Sequence, residues 1–300
     1  MPSLPKERLT KAYYQIIEMK REKYSVKLLC KTLGCSRSGY YDWIKLGRPK
    51  HKAFNEVINQ MVKEMYEADD RRGIRSVRMH IKAAYGIILT NRTVHRYMRI
   101  NDFKATVRVK QRSYPKASNH NIPNVVQRDF TTNKPNEKWS IDISYIFRRD
   151  GLSYLCAIKD LYDKSIIAWQ LSDHIDLKLV LDTLDEAFMK IPYEQRMTLI
   201  MHSDQGWHFT HHIYQEKLLS EGVTQSISAK GSSVDNAPIE SFFAIVKTEC
   251  IYREKHLYKS NVYAVIENYM CYYNNERLQE KIKELAPIEY RNQALQSLFY

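Results

Sequence analysis

The chain has 300 residues, 27% of them charged and 44% hydrophobic, with only 9 Gly and 9 Pro. This composition fits a folded chain of more than one domain and excludes a fibrous or low-complexity polymer. The net charge is +13, but it is uneven: residues 1–130 hold 28 Lys+Arg against 11 Asp+Glu (+17), and residues 131–300 hold 19 against 23 (−4). A basic half joined to a slightly acidic half points to a polyanion-binding module beside a different kind of site.

No segment approaches the roughly 18 apolar residues of a membrane-spanning helix. The polar N-terminal stretch, with both Lys and Glu, lacks a signal-peptide core, so a cytoplasmic chain without membrane partners is expected. The 5 cysteines (Cys30, Cys35, Cys156, Cys250, Cys271) form no C-x-x-C pair, which argues against a disulfide framework or a cysteine-based zinc site.

In chain order, Val26, Leu28, Leu29 and Leu33 recur at helical spacing; Gly34 ends that helix and Ser36 caps a second one carrying Tyr40, Tyr41 and Trp43. This is helix-turn-helix spacing. A second helical unit begins with an amphipathic helix over 54–67, from Phe54 to Met65, followed by a cationic run of Arg71, Arg72, Arg75 and Arg78. A helix over 75–84 stops at Gly86. Thr90 or Asn91 caps the next, whose exposed face carries Arg92, His95, Arg96 and Arg99. Such a helix suits a major groove or a solvated surface equally well. Residues 104–136 are basic, rich in Asn, Ser and Pro, and aperiodic, as a linker would be.

The second half changes character. Residues 138–147 alternate with period two, placing Trp139, Ile141, Ile143, Tyr145 and Phe147 on one face and Ser140, Asp142 and Ser144 on the other. Strands over 152–160 and 165–171 follow, with turn signals at Asp150-Gly151 and Asp163-Lys164, so three antiparallel neighbours are predicted. A helix over 176–190, a strand over 197–202, a helix near 210–221, a strand over 223–228 and two or three helices in 236–300 complete an α/β layer fold.

Three acids stand out. Asp142 sits mid-strand among apolar residues, where a carboxylate is costly unless it is paired or binds a cation. Asp204 directly follows an apolar strand, at the carboxyl end where α/β sheets present chemistry. Glu240 falls near the start of a helix that Asp235 or Asn236 can cap and Pro238 can begin. Two strands and a helix can converge such carboxylates on two Mg²⁺ ions, which prefer oxygen ligands. A metal pair of that kind serves in-line phosphoryl transfer. Asp235 reads as a cap, Asp160 and Asp163 as turn residues, Asp173 and Asp176 as helix starters, and Glu249 as a surface residue. The group His202, His208, His211 and His212 lacks zinc-type spacing, and His202 stands near enough to Asp204 to orient DNA or water. Trp207 either stacks on a base or covers the core.

The stretches W-S-I-D-I-S-Y-I around Asp142, H-S-D-Q-G around Asp204 and D-N-A-P-I-E-S-F-F around Glu240, with 35 residues between Asp204 and Glu240, resemble the DDE transposases of bacterial insertion sequences. The resemblance is to the two-reading-frame family numbered three, whose core is ribonuclease-H-like and shared with retroviral integrases. Y-Y-N-N-E-R-L-Q, L-A-P-I-E-Y and the N-terminal L-L-C-K-T-L-G-C-S-R-S-G-Y-Y resemble further family segments, so nearly the whole chain is covered. Where the family often carries R-G-x-Y-G-Y-R-R, this chain has Arg72-Gly73-Ile74-Arg75-Ser76-Val77-Arg78, without the aromatic residues.

The resemblance implies a helix-turn-helix-like segment (1–50), a helical DNA-binding domain (51–103), a basic linker (104–135), a ribonuclease-H-like integrase core with a mixed sheet flanked by helices (136–252) and a C-terminal helical extension (253–300). It implies cleavage and strand transfer at element ends, with Asp142, Asp204 and Glu240 as catalytic metal ligands for two Mg²⁺ ions, Mn²⁺ substituting. DNA contacts are expected from Lys247, Arg92, Arg96, Arg99, Arg75 and Arg78. The expected partners are double-stranded DNA at element ends and target, further copies of the chain on that DNA, and the upstream-frame protein, in a nucleoid-associated bacterial setting. A non-catalytic DNA-binding regulator and a nuclease that cuts without joining are the competing readings.

Overall fold

The computed structural model describes residues 6–45, 55–104, 122–229 and 233–297. Phe54 and most of the basic linker, residues 105–121, lie outside the described residues. The chain divides into two compact units, Met1–Met61 and Val62–Tyr300.

The first unit holds α1 (Lys6–Lys20), α2 (Val26–Leu33) and α3 (Arg37–Lys45). Ser25 caps α2 by accepting the Leu28 N–H, and Gly34 ends it in the left-handed region at φ 62°, where a residue without Cβ is favoured. Ser36 opens α3 by accepting the Gly39 N–H at 3.2 Å. Ile17, Cys30, Tyr40 and Trp43 close a small core between the three helices. The expected helix pair is therefore present, with α1 packed against it.

α4 (Glu56–Ala68) crosses the division between the units. In the second unit, α5 (Ile74–Tyr85) ends at Gly86, φ 68°, and α6 (Asn91–Ile100) starts at Thr90, whose hydroxyl accepts the Thr93 N–H. Val77 and Ile81 of α5 and Val94, Tyr97 and Met98 of α6 are buried, which turns the arginines of α6 outward.

The sheet follows: β1 (Lys138–Arg148), β2 (Gly151–Asp160), β3 (Ile166–Ser172), α7 (Leu177–Met189), α8 (Tyr193–Arg196), β4 (Ile200–Ser203), α9 (Trp207–Thr210), α10 (His212–Ser220), β5 (Thr224–Ile227), α11 (Ala237–Glu249), α12 (Val262–Asn275) and α13 (Pro287–Ser297). The strands run in the order β3-β2-β1-β4-β5. β1–β2 and β2–β3 are antiparallel, as the turn signals require, while β1–β4 and β4–β5 are parallel and joined through helices. Trp139, Ile141 and Ile158 pack with α7 and α10 on one face. Ile146, Leu155 and Ala157 pack with Phe242 and Val246 of α11 and with Ile266 and Tyr273 of α12 on the other. Both faces are thus covered, and Asp142 sits at an interruption in the second apolar layer.

Several local expectations change. The helix expected near 210–221 is α10, and a short unexpected helix, α9, precedes it; the two are separate because His211 is extended (φ −69°, ψ 138°) and caps α10 by accepting the Ile213 N–H at 3.3 Å. Within the stretch expected as linker, residues 123–126 lie against β5: the N–H groups of Val125 and Val126 donate to Ser226 Oγ, and the Pro123 carbonyl accepts the Ile227 N–H. That contact covers the edge that β5 would otherwise expose. Asp176 caps α7 as anticipated, but Asp173 pairs instead with Arg148 at 3.2 Å. Glu249 is no isolated surface acid, for Arg277 and the Tyr269 hydroxyl both reach it.

The C-terminal helix is bound through charge. Arg291 of α13 lies 2.7 Å from Asp163 and 3.1 Å from Asp160, both fully buried. Asp160 also accepts from the Asn136 and Tyr162 N–H groups and from Trp139 Nε1. Burial is tolerable for these acids because each carboxylate oxygen has at least one donor, the Ser165 N–H serving Asp163 Oδ1, and the guanidinium supplies the opposing charge.

Candidate active site

Asp142 stands in the middle of β1, half-buried, opposite Ala157 of β2. The small alanine leaves the carboxylate room on that side. Asp204 directly follows β4, and Glu240 lies in the first turn of α11; both are exposed, so this end of the sheet is open to solvent. Pro238 sits in that same turn, as the sequence indicated, and its missing N–H costs nothing there.

The acids share one electrostatic neighbourhood. The Asp142 carboxyl is held well above the usual carboxylate range, first by burial and next by the negative charge of Asp204; the Ile143 N–H, 2.7 Å from Oδ1, opposes this, Glu240 adds to the rise, and Lys247 lowers it. Asp204 is also raised, by desolvation, against the Gly206 N–H and the charge of His208. Lys247 is pulled below the ordinary lysine range by desolvation while Asp142 pulls it back. It stands seven residues after Glu240, two helical turns, so both lie on one face of α11. Like charges gathered in this way resist ionising together, and a bound divalent cation would reverse the penalty. The donor set is all oxygen, which matches Mg²⁺ rather than zinc. Among the described residues, no three His, Cys, Asp or Glu side chains are drawn together as a ready-made metal cage.

The histidines have separate tasks. His202 is buried and bonded to Ser226 Oγ and the Asp235 carbonyl, so it faces neither DNA nor bulk water. His208 is buried beneath Trp207, with ring centroids 3.8 Å apart, and Trp207 itself is 54% exposed. Asp235 does not cap α11: the residue before that helix is Asn236, which makes no side-chain cap bond. The buried Asp235 carboxylate instead accepts from Arg128 Nε at 2.6 Å, Asn124 Nδ2 at 3.1 Å and the Ala229 N–H at 3.0 Å. A tertiary partner more than a hundred residues away outweighs the local preference for capping.

The basic residues divide into two groups. Arg92 and Arg99 of α6 are exposed, and Arg96 is half-buried with its guanidinium 5.4 Å from the Tyr97 ring. Arg75 and Arg78 of α5 face acids instead: Arg75 lies 3.4 Å from Glu280, and Arg78 lies 3.2 Å from Glu280 and 2.8 Å from Glu284. Lys82 also pairs with Glu284. The sequence showed these cations but not their partners, which lie some two hundred residues away.

Integrase core domain models match residues 132–233 and 240–295. The chain is 34% identical over 283 residues to the Escherichia coli K12 protein described as transposase InsK for insertion sequence element IS150, covering 93% of this chain and 98% of that one. It is 29% identical over 290 residues to transposase InsF for insertion sequence IS3fB from the same organism, covering 94% and 99%. Among solved structures it resembles the HTLV-2 integrase catalytic core domain in complex with magnesium, at 12% identity and a TM-score of 0.42, over 53% of this chain and 97% of that one. With five mixed strands between two helical layers and near end-to-end likeness to the two Escherichia coli transposases, the chain belongs to the insertion-sequence transposases built on an integrase core domain.

Proposed function

We propose that the chain cuts DNA at the ends of an insertion sequence and joins the freed 3′-hydroxyl to target DNA by transesterification, with Asp142, Asp204 and Glu240 as its catalytic carboxylates. The observation that carries this reading is placement: Asp142 lies in β1, Asp204 directly follows the neighbouring parallel strand β4, and Glu240 lies in the first turn of α11, which packs on β1. The three acids would hold Mg²⁺, with Mn²⁺ substituting; a bound pair of ions supplies activation of the attacking oxygen and stabilisation of the leaving one.

The chain's own contribution is placement. Backbone N–H groups of Ile143 and Gly206 orient the two aspartates. Lys247, facing Asp142, offers a cation for the DNA phosphate beside the reacting bond. Arg92, Arg96 and Arg99 form the basic face that tracks the duplex backbone. Pairing of two element ends calls for more than one copy of the chain, and the upstream-frame protein is a further partner on that DNA. The relevant compartment is the nucleoid, and among the described residues no helix is long and apolar enough to cross a membrane.

The test combines the full chain, Mg²⁺, a labelled fragment carrying the DNA that flanks the reading frame, and a target plasmid. Joined product is expected. Asp142→Asn, Asp204→Asn and Glu240→Gln should each abolish joining while fragment binding persists. Joining that survives any one substitution removes that residue from the mechanism. Cutting without joining leaves a nuclease, and binding without cutting leaves a DNA-bound regulator.

A further inference from the structure

One residue pair before the aspartates, the sheet is polar across four strands. Strand pairing sets Lys159 of β2 opposite Ser140 of β1, Ser140 beside His202 of β4, and His202 beside Ser226 of β5. All four are buried. Side chains on a strand return to the same face every second residue. Ser140 therefore shares a face with Asp142, and His202 stands two residues before Asp204.

Three members of this row bond to consecutive parts of a single short segment. His202 Nε2 is 3.0 Å from the Asp235 carbonyl, Ser140 Oγ donates to Asn236 Oδ1 at 2.9 Å, and Lys159 Nζ donates to the Pro238 carbonyl at 3.1 Å. A carbonyl only accepts, so His202 donates from Nε2 and its Nδ1 accepts the Ser226 hydroxyl proton at 3.0 Å. Ser226 Oγ in turn accepts from Val125 and Val126 N–H. On the other side of the segment, the Asp235 carboxylate is fixed by Arg128, Asn124 and Ala229. Residues 235–238 end two positions before Glu240, and no side chain caps α11 itself. Apolar residues would fill this layer without the cost of burying polar groups. The row instead directs its hydrogen bonds at the start of the helix that brings in the third acid.

We propose that the row Lys159–Ser140–His202–Ser226 is the positioning device of the active site, setting the place of Glu240 relative to Asp142 and Asp204, with Ser140 and Asn236 as its central bond. The inference rests on the reading of the three acids as metal ligands. None of the row residues is a metal ligand itself. Lys159, Ser140 and His202 act through the segment they hold, and Ser226 acts through His202, as groups behind metal ligands do.

The test reads metal binding rather than turnover. Mn²⁺ alone is titrated into the full chain and followed by electron paramagnetic resonance. Ser140→Ala and Asn236→Ala should each weaken Mn²⁺ binding about tenfold, the double variant should be no weaker than either single one because they share one bond, and Ser140→Thr, which keeps the hydroxyl, should retain the native affinity. Metal-free melting should fall by only about 2–4 °C, as expected for one hydrogen bond. If Ser140→Ala fails to fold, Asn236→Ala breaks the same bond from the helix side and decides the matter. Native Mn²⁺ affinity in both single variants, or additive losses in the double one, overturns the proposal. Asp142→Asn is the control: if it binds Mn²⁺ as the native chain does, the metal-site reading itself falls, whereas weakened binding there beside native binding in Ser140→Ala and Asn236→Ala sinks the positioning row alone.

Discussion

The backbone N–H of Gly206 donates to Oδ1 of Asp204 at 2.8 Å, in a space that no side chain at position 206 can share. A Cβ added at Gly206 would stand 2.9 Å from that oxygen and 3.3 Å from the Phe209 ring. The carboxylate end can swing aside at little cost to the fold, but it then loses its orienting bond. Gly206→Ala is therefore expected to lower strand joining about 10- to 100-fold, the scale of a misplacement near 1 Å, while the melting midpoint moves by less than about 2 °C. Joining assays beside thermal melts check this. Native joining rates would show that the orientation of Asp204 is not set by this contact.

The two groups of arginines separate in the same way. Arg92 and Arg99 are exposed on α6, whereas Arg78 is mostly covered and held between Glu280 and Glu284. Binding to a duplex of arbitrary sequence, measured by fluorescence anisotropy across a salt series, should lose about one unit of log–log slope for each phosphate contact removed. Arg92→Ala and Arg99→Ala should each show that loss with little change in stability. Arg78→Ala should leave the slope unchanged and instead destabilise the fold by about 1 kcal/mol, because the mostly covered Glu284 loses one of its two cations and keeps only Lys82. Arg75, paired with Glu280 at an exposed position, adds little either way.

What the sequence made legible was local. The alternation around Asp142 showed its face, Gly34 and Gly86 marked helix ends, and Thr90 and Ser36 marked helix starts, because caps and strand parity depend on residues within four positions. The spacing of Asp204, Glu240 and Lys247 was equally visible. Long-range selection was not. Asp235 looked like a cap because Asp commonly is one, yet its carboxylate answers to Arg128 and Asn124. No helix is predicted over residues 6–20, and the packing of Ile17 with Tyr40 and Trp43 shows what holds α1 in place. Ser140 was seen to share a face with Asp142, but no pattern could announce that its partner is Asn236, in a segment nearly a hundred residues later.

Lys159 offers a test of the same layer through pH. It is 6% exposed and its ammonium group is pushed down to about 7, first by burial and then by the charges of Lys164, Arg277 and Lys281. In the unfolded chain the group returns to an ordinary value near 10.4. Between about 7 and about 10.4 the unfolded state therefore holds a proton that the folded state lacks, so this residue's contribution to stability rises with pH across that window. Below about 7 both states are charged and the folded chain bears the full cost, roughly 5 kcal/mol at most for a fall from 10.5 to about 7. Lys159→Met removes the titration and keeps the bulk. Urea unfolding at pH 6.5, 8 and 9.5 should show the native chain gaining on the variant at each step. A difference that stays flat would mean that Lys159 remains charged in the fold and that its bond to the Pro238 carbonyl is strong enough to hold an ammonium ion inside the layer.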